Sequence, residues 1–182
     1  MSILERVLDR RPTRALTIDR MKIRHVGDVM GIERDAYPRP WTAQVFHDEL
    51  HEARSGRRHY VVARRGRTVV GYGGLMFVAG EAHVTNIAVH PAERRHHIGT
   101  RIMASLANEA IERGCTAWTL EVRATSRGAQ ELYRTFGFAP AGVRKDYYEG
   151  ETDAIVMWCH DIQSDEYRQR LARLLVRAAE RP

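Results

Sequence analysis

The run Arg94-Arg95-His96-His97-Ile98-Gly99 lies between an extended apolar segment and a helical pattern, and its residue types suit an anion. A helix that begins there has unpaired N–H groups in its first turn and partial positive charge from its dipole. Arg94 and Arg95 add full charge, and Gly99 permits close backbone approach, so a phosphate group is the natural occupant. The paired histidines raise the question of a metal. Adjacent positions are poorly spaced for chelation and no third ligand is near in sequence, so no metal is expected. A second chemical candidate is Glu121, the one carboxylate in the apolar run 115–122, CTAWTLEV. A lone charge in such a run either faces solvent or is placed at a site, and the run by itself leaves both readings open.

The elements that must hold these residues can be read from periodicity and turn chemistry. Residues 15–18 read as a strand, and residues 22–37 as a helix ended by Pro38 and Pro40, because a residue before proline avoids the helical region. Thr42 caps a second helix over 43–53. The runs 58–64, 68–78 and 81–90 read as strands, the first two joined at Arg65-Gly66-Arg67. A helix over 99–113 follows, with Gly114 as its C-cap. After it come a buried strand at 115–122, a helix at 127–136 ended by Gly137, and a final strand pair over 138–148 and 152–160. Beyond Ile162, Ser164 can cap an amphipathic helix carrying Tyr167, Leu171, Leu174, Leu175 and Ala178 on one face. The order is that of a mixed α/β (α+β) domain with a single sheet. It divides into an arm at 1–13, a domain at 14–162 and a C-terminal amphipathic helix at 163–182.

Composition narrows the setting. The 182 residues, 43% of them hydrophobic, suit one domain with an ample core. No apolar run approaches the roughly 18 residues of a membrane span, and the N-terminus lacks the continuous apolar centre of a secretory signal. A cytoplasmic protein with no membrane partner is expected. Cys115 and Cys159 are too few for a disulfide scaffold and read as reduced, partly buried thiols. The net charge is +6, and only Lys22 and Lys145 among the 29 basic residues are lysine. Without interleaved aromatics, that charge does not indicate direct nucleic-acid binding.

In order and spacing, several segments resemble the GNAT N-acetyltransferases, and within them the RimI-type group that acetylates protein N-terminal amines. They are the loop 94–99; Ile32-Glu33 with Pro40-Trp41-Thr42 and Phe46-x-x-Glu49-Leu50; Gly80-Glu81-Ala82-His83 and Asn86-Ile87-Ala88-Val89. They continue as Thr119-Leu120-Glu121-Val122-Arg123, Ala129-x-x-Leu132-Tyr133, Phe136-Gly137-Phe138, and Arg144 with Tyr147-Tyr148 and Asp153-Ala154. The likeness covers residues 16–161. It implies the GNAT fold, a single mixed and mostly antiparallel sheet splayed in the middle with helices on both faces, and acetyl-coenzyme A as co-substrate without a metal. By the same resemblance Arg94, Arg95, His96, His97, Ile98, Gly99 and Thr100 hold the pyrophosphate. The backbone of Ile87, Ala88 and Val89 pairs with the pantetheine arm, and Ser126 contacts the coenzyme. Glu121 is the implied general base and Tyr133, otherwise an ordinary half-buried core residue, the implied acid. Glu33, Tyr37, Trp41, Tyr147 and Tyr148 fall in the two loops that cover the acceptor.

Two positions depart from the family pattern. His97 stands where a glycine is usual, and Ser126 where asparagine is usual, although a serine can still cap a helix. The implied acceptor is a protein N-terminus, with the N-terminal alanine of a small-subunit ribosomal protein as the usual case. A lysine side chain or a small-molecule amine is the alternative acceptor, since fold does not fix substrate. A non-catalytic acyl-coenzyme A-binding module is a third reading, with the C-terminal helix as a partner or oligomer surface.

Overall fold

A computed structural model describes residues 15–180; the expected arm at 1–13 lies outside the described residues. Among the described residues seven strands form one open sheet: β1 (Leu16–Arg20), β2 (Arg58–Arg65), β3 (Thr68–Val78), β4 (Glu81–Val89), β5 (Ala117–Arg123), β6 (Ala139–Tyr148) and β7 (Thr152–Cys159). Their spatial order is β1-β2-β3-β4-β5-β7-β6. Among these pairs only β4 and β5 run parallel, joined by the long crossover that a parallel pair requires. That crossover is α3 (Ile98–Glu112).

The sheet separates two apolar layers. On one face α1 (Val26–Ala36) and α2 (Ala43–Glu52) pack Val29, Ile32 and Phe46 against Tyr60, Val62 and Tyr72. On the other, α3 places Ile102, Met103 and Leu106 against Val61, Leu75, Val84 and Leu120. α4 (Arg127–Thr135) and α5 (Asp165–Glu180) complete that layer through Tyr133, Tyr167 and Leu171. The final helix therefore shares the main core, while Leu175 and Val176 on its outer side remain exposed. Ser164 Oγ accepts from Tyr167 N at 3.2 Å, the cap expected there.

Local chemistry sets most boundaries. Thr42 Oγ1 accepts from Val45 N to open α2. Gly114 takes a left-handed φ of 74° and ends α3, with Cys115 N bonded back to Ala110 O. That bond moves the start of β5 from the expected residue 115 to Ala117. The first expected helix is also shorter: His25 Nδ1 accepts from Lys22 N, and the turn Ile23–His25 is a tighter 3₁₀ turn before α1 begins.

Candidate active site

A bulge opens the sheet at its centre. β4 and β5 pair from Glu81–Ala117 to Val84–Leu120 and no further. On its other side β4 slips register against β3: Gly74 faces Asn86 while Leu75 faces Val84, leaving Thr85 as an extra residue. A bulge bends its strand and increases local twist. From Thr85 onward β4 therefore follows β3 away from β5, and a cleft of about 1180 Å³ lies between them. Tyr60 braces the bulge, its hydroxyl 2.9 Å from Thr85 Oγ1. The ring has room because position 74 is glycine; a Cβ there would lie 2.1 Å from Tyr60 Cε1.

At one end of the cleft lies the basic loop. His97 sits at the N-cap of α3 with φ 53° and ψ 17°, and Arg95 has φ 70°. The left-handed residues turn the chain sharply into the first turn of α3, whose unpaired N–H groups and dipole favour an anion. The loop thus reaches the geometry that a glycine would give, at the cost of holding a histidine in a strained region. Ile98, fully buried, anchors the first turn of α3. His96 is turned outward: its Nδ1 lies 3.2 Å from Glu93 O and it does not line the cleft.

Glu121 follows the last rung that β5 shares with β4, so its carboxylate stands at the fork. Its Oε2 is 3.0 Å from His83 Nε2 and its Oε1 3.1 Å from Arg144 Nη1. The hydrogen bond from His83, aided by attraction to His83 and Arg144, outweighs burial and holds the carboxyl below its ordinary range. Tyr133 enters the same cleft from α4, and burial, with Tyr37 and Tyr148 nearby, raises its hydroxyl well above the usual phenol range. Tyr148 donates to Glu121 O at 3.2 Å, and its pKa is pushed up to about 12, chiefly by burial. Arg123 lies over the Tyr148 ring at 4.3 Å and pairs both ways with Glu149, at 2.7 and 2.5 Å.

The loop between α1 and α2 forms the opposite wall. Glu33 is buried at the end of α1; it accepts from Trp41 N at 2.9 Å and from the Tyr72 hydroxyl. Burial raises its pKa. Its carboxylate is thus engaged in holding the loop. Trp41 packs on Phe46, ring centroids 5.5 Å apart, and clamps α2 while still lining the cleft. Tyr37 reaches across to β4, where its hydroxyl donates to Ile87 O at 2.7 Å.

Every residue the sequence nominates lines this cleft except His96 and Tyr147. Tyr147 points outward from the edge strand β6, half-exposed, edge-on to Tyr148 and beneath Arg144. Ser126 lines the cleft, but its hydroxyl makes no capping bond to α4; Gln130 instead ties the turn through Arg123 O and Ala124 O. Among the described residues no group of His, Cys, Asp and Glu is arranged to hold a metal, and both cysteines are free and buried.

A family model described as the acetyltransferase (GNAT) family matches residues 26–138. A protein of Escherichia coli K12, named [ribosomal protein bS18]-alanine N-acetyltransferase, is 32% identical over 131 residues, which are 69% of this chain and 84% of that one. The chain is a GNAT acetyltransferase of the RimI type. A second relative of this GNAT enzyme, the N-alpha-acetyltransferase RimI of Mycobacterium tuberculosis, is 39% identical over 113 residues, 60% of this chain and 68% of that one. Among solved structures, the ribosomal-protein-S18-alanine N-acetyltransferase of Escherichia coli superposes with a TM-score of 0.74 at 28% identity. That match covers 84% of this GNAT chain and 97% of the other. The acetyl donor of the GNAT family is acetyl-coenzyme A.

His83 and Arg144 belong to the motifs quoted from the sequence, yet carry no role there, and Arg123 with Glu149 is likewise unassigned. The signal was period two: His83 alternates with buried Ala82 and Val84, and Glu121 with buried Leu120 and Val122. Each polar set therefore shares a sheet face, but only strand order brings the two sets together.

Proposed function

We propose that this chain transfers the acetyl group of acetyl-coenzyme A to the N-terminal amine of a protein, with an N-terminal alanine of a small-subunit ribosomal protein as acceptor. The observation that carries the reading is the shared cleft, in which an ionised carboxylate, Glu121, and a protonated phenol, Tyr133, face one opening in the sheet. The names of the two RimI-type relatives support the choice of acceptor. In this reading acetyl-coenzyme A supplies a thioester-activated acetyl group. The loop 94–100 and the first turn of α3 fit its pyrophosphate by charge and by N–H direction. The backbone of Ile87, Ala88 and Val89, no longer paired with β5, fits the pantetheine arm, with Ser126 at its side, and an amide there can polarise the thioester carbonyl.

An α-amine has an ordinary pKa of about 7.7–8.0, against about 10.4 for lysine, so a modest base can free its lone pair at neutral pH. Glu121 takes that proton at the cleft. Tyr133, held protonated by burial, donates to the departing thiolate. Tyr148 and Trp41 bound the acceptor side, and Tyr147 stands at its outer rim. A cytoplasmic setting, where ribosomal proteins are made, is part of the same proposal. Among the described residues no helix is long and apolar enough to cross a membrane.

The test follows thiol release from acetyl-coenzyme A with two acceptor panels. One holds peptides with free Ala, Ser, Gly or Met termini; the other holds N-blocked lysine peptides and polyamines. Turnover is expected on free termini, Ala foremost, with kcat reduced about 10²–10⁴-fold in Glu121→Gln and Tyr133→Phe. Turnover on the second panel alone would overturn the acceptor, and full activity in either variant would overturn that residue's role.

A further inference from the structure

The base at the fork does not stand alone. His83 occupies the β4 rung opposite Thr119, and Glu121 is two residues further along β5 on the same face. Diagonal neighbours at that spacing are within reach of long side chains, and here they meet at 3.0 Å. Val84 is the last rung before the strands part, so the imidazole is fixed by paired backbone while the carboxylate it holds is at the opening. Both side chains are largely covered, at 25% and 14% exposure. The second carboxylate oxygen is held by the Arg144 guanidinium.

Two other cations near the pair are engaged elsewhere. On β5, Arg123 faces the same side but is tied to Glu149. From β2, Arg58 lies beyond Met76 in the row that includes His83, and it is tied to Glu49 of α2. Thr119 and Met76, the two rung partners of His83, carry no charge. His83 and Arg144 are thus the side chains that hold this carboxylate.

We propose that His83 is a positioning residue for acetyl transfer, aiming the Glu121 carboxylate at the acceptor amine. Its Nε2–H donates to Oε2 and fixes the carboxylate rotamer, while Arg144 holds the other oxygen. This inference rests on the assignment of Glu121 as base.

The test measures kcat and KM on an Ala-terminal peptide for wild type, His83→Ala, His83→Gln and Glu121→Gln. Coenzyme A binding is measured in parallel as a check on the folded site. His83→Ala is expected to lose about 10-fold in kcat at pH 8, as a misaimed catalytic group does, with coenzyme binding retained. His83→Gln keeps an N–H donor, so it recovers most of that loss, and KM stays near the wild-type value in both variants. A His83→Ala variant with wild-type kcat would overturn the proposal. So would a His83→Gln variant that recovers none of the loss. Wild-type turnover in Glu121→Gln would instead remove the base assignment itself, a separate result visible without any His83 variant.

Discussion

Replacing His97 tests whether the basic loop works through its backbone. His97 holds φ 53° at the N-cap of α3, in the left-handed region. A non-glycine residue there costs about 1–2 kcal/mol. Glycine removes that cost but adds about 0.5–1 kcal/mol of chain entropy to the unfolded state. His97→Gly is therefore expected to stabilise the fold by about 0.5–1 kcal/mol, a rise of about 1–4 °C in Tm for a domain of this size. Its affinity for coenzyme A should stay within about threefold of wild type, since the N–H groups keep their direction. His97→Val is the converse, because a β-branched residue tolerates positive φ least. Its loop relaxes out of the left-handed region, and binding must restore it at about 2 kcal/mol, or roughly 30-fold in Kd. Calorimetric titration with coenzyme A and thermal denaturation measure both effects. A His97→Gly variant that binds tenfold more weakly would show that the imidazole itself holds the coenzyme. Unchanged binding in His97→Val would show that the loop does not depend on the left-handed residue, and either result refutes the reasoning.

Two predictions concern stability. His59 is buried with Nδ1 3.1 Å from Glu109 Oε1, and desolvation, only partly offset by Glu109, lowers its pKa below the ordinary 6.5. The unfolded chain therefore binds this proton more readily, so the contribution to stability is complete above about pH 6.5 and declines as pH falls; His25 acts in the same direction. Tm should fall between pH 7.5 and 5, and His59→Gln should flatten that slope; an unchanged slope would exclude His59 as a source. Leu171 of α5 is buried in the core that α3 organises, whereas Leu175 is 39% exposed. In denaturant unfolding Leu171→Ala is expected to cost about 2–4 kcal/mol and Leu175→Ala no more than about 0.5 kcal/mol; equal small losses would mean that α5 does not contribute to the core.

What the sequence determined by itself was whatever depends on neighbours in the chain. Thr42, Ser164 and Gly114 mark helix ends because capping bonds span only a few residues. The anion loop was legible for the same reason, since basic residues, a helix start and a glycine occupy a few consecutive positions. Glu121 was visible as an anomaly in an apolar strand, but its role could not be read there, because a strand's period assigns a face and not a partner. The resemblance to known acetyltransferases supplied the role, and with it Tyr133. Only the tertiary structure decided how the site is held. The opening between β4 and β5 arises at Thr85 from a register slip against β3, stabilised by Tyr60 and permitted by Gly74. His83, Glu121 and Arg144 meet because β5 lies between β4 and the β7–β6 pair, an order no local signal encodes. Glu33 and His96 show the converse: polar residues in plausible positions, one engaged in holding a loop and the other turned to solvent. Hydrogen-bond partners that lie tens of residues apart are chosen by packing, and packing is settled only when the whole chain is folded.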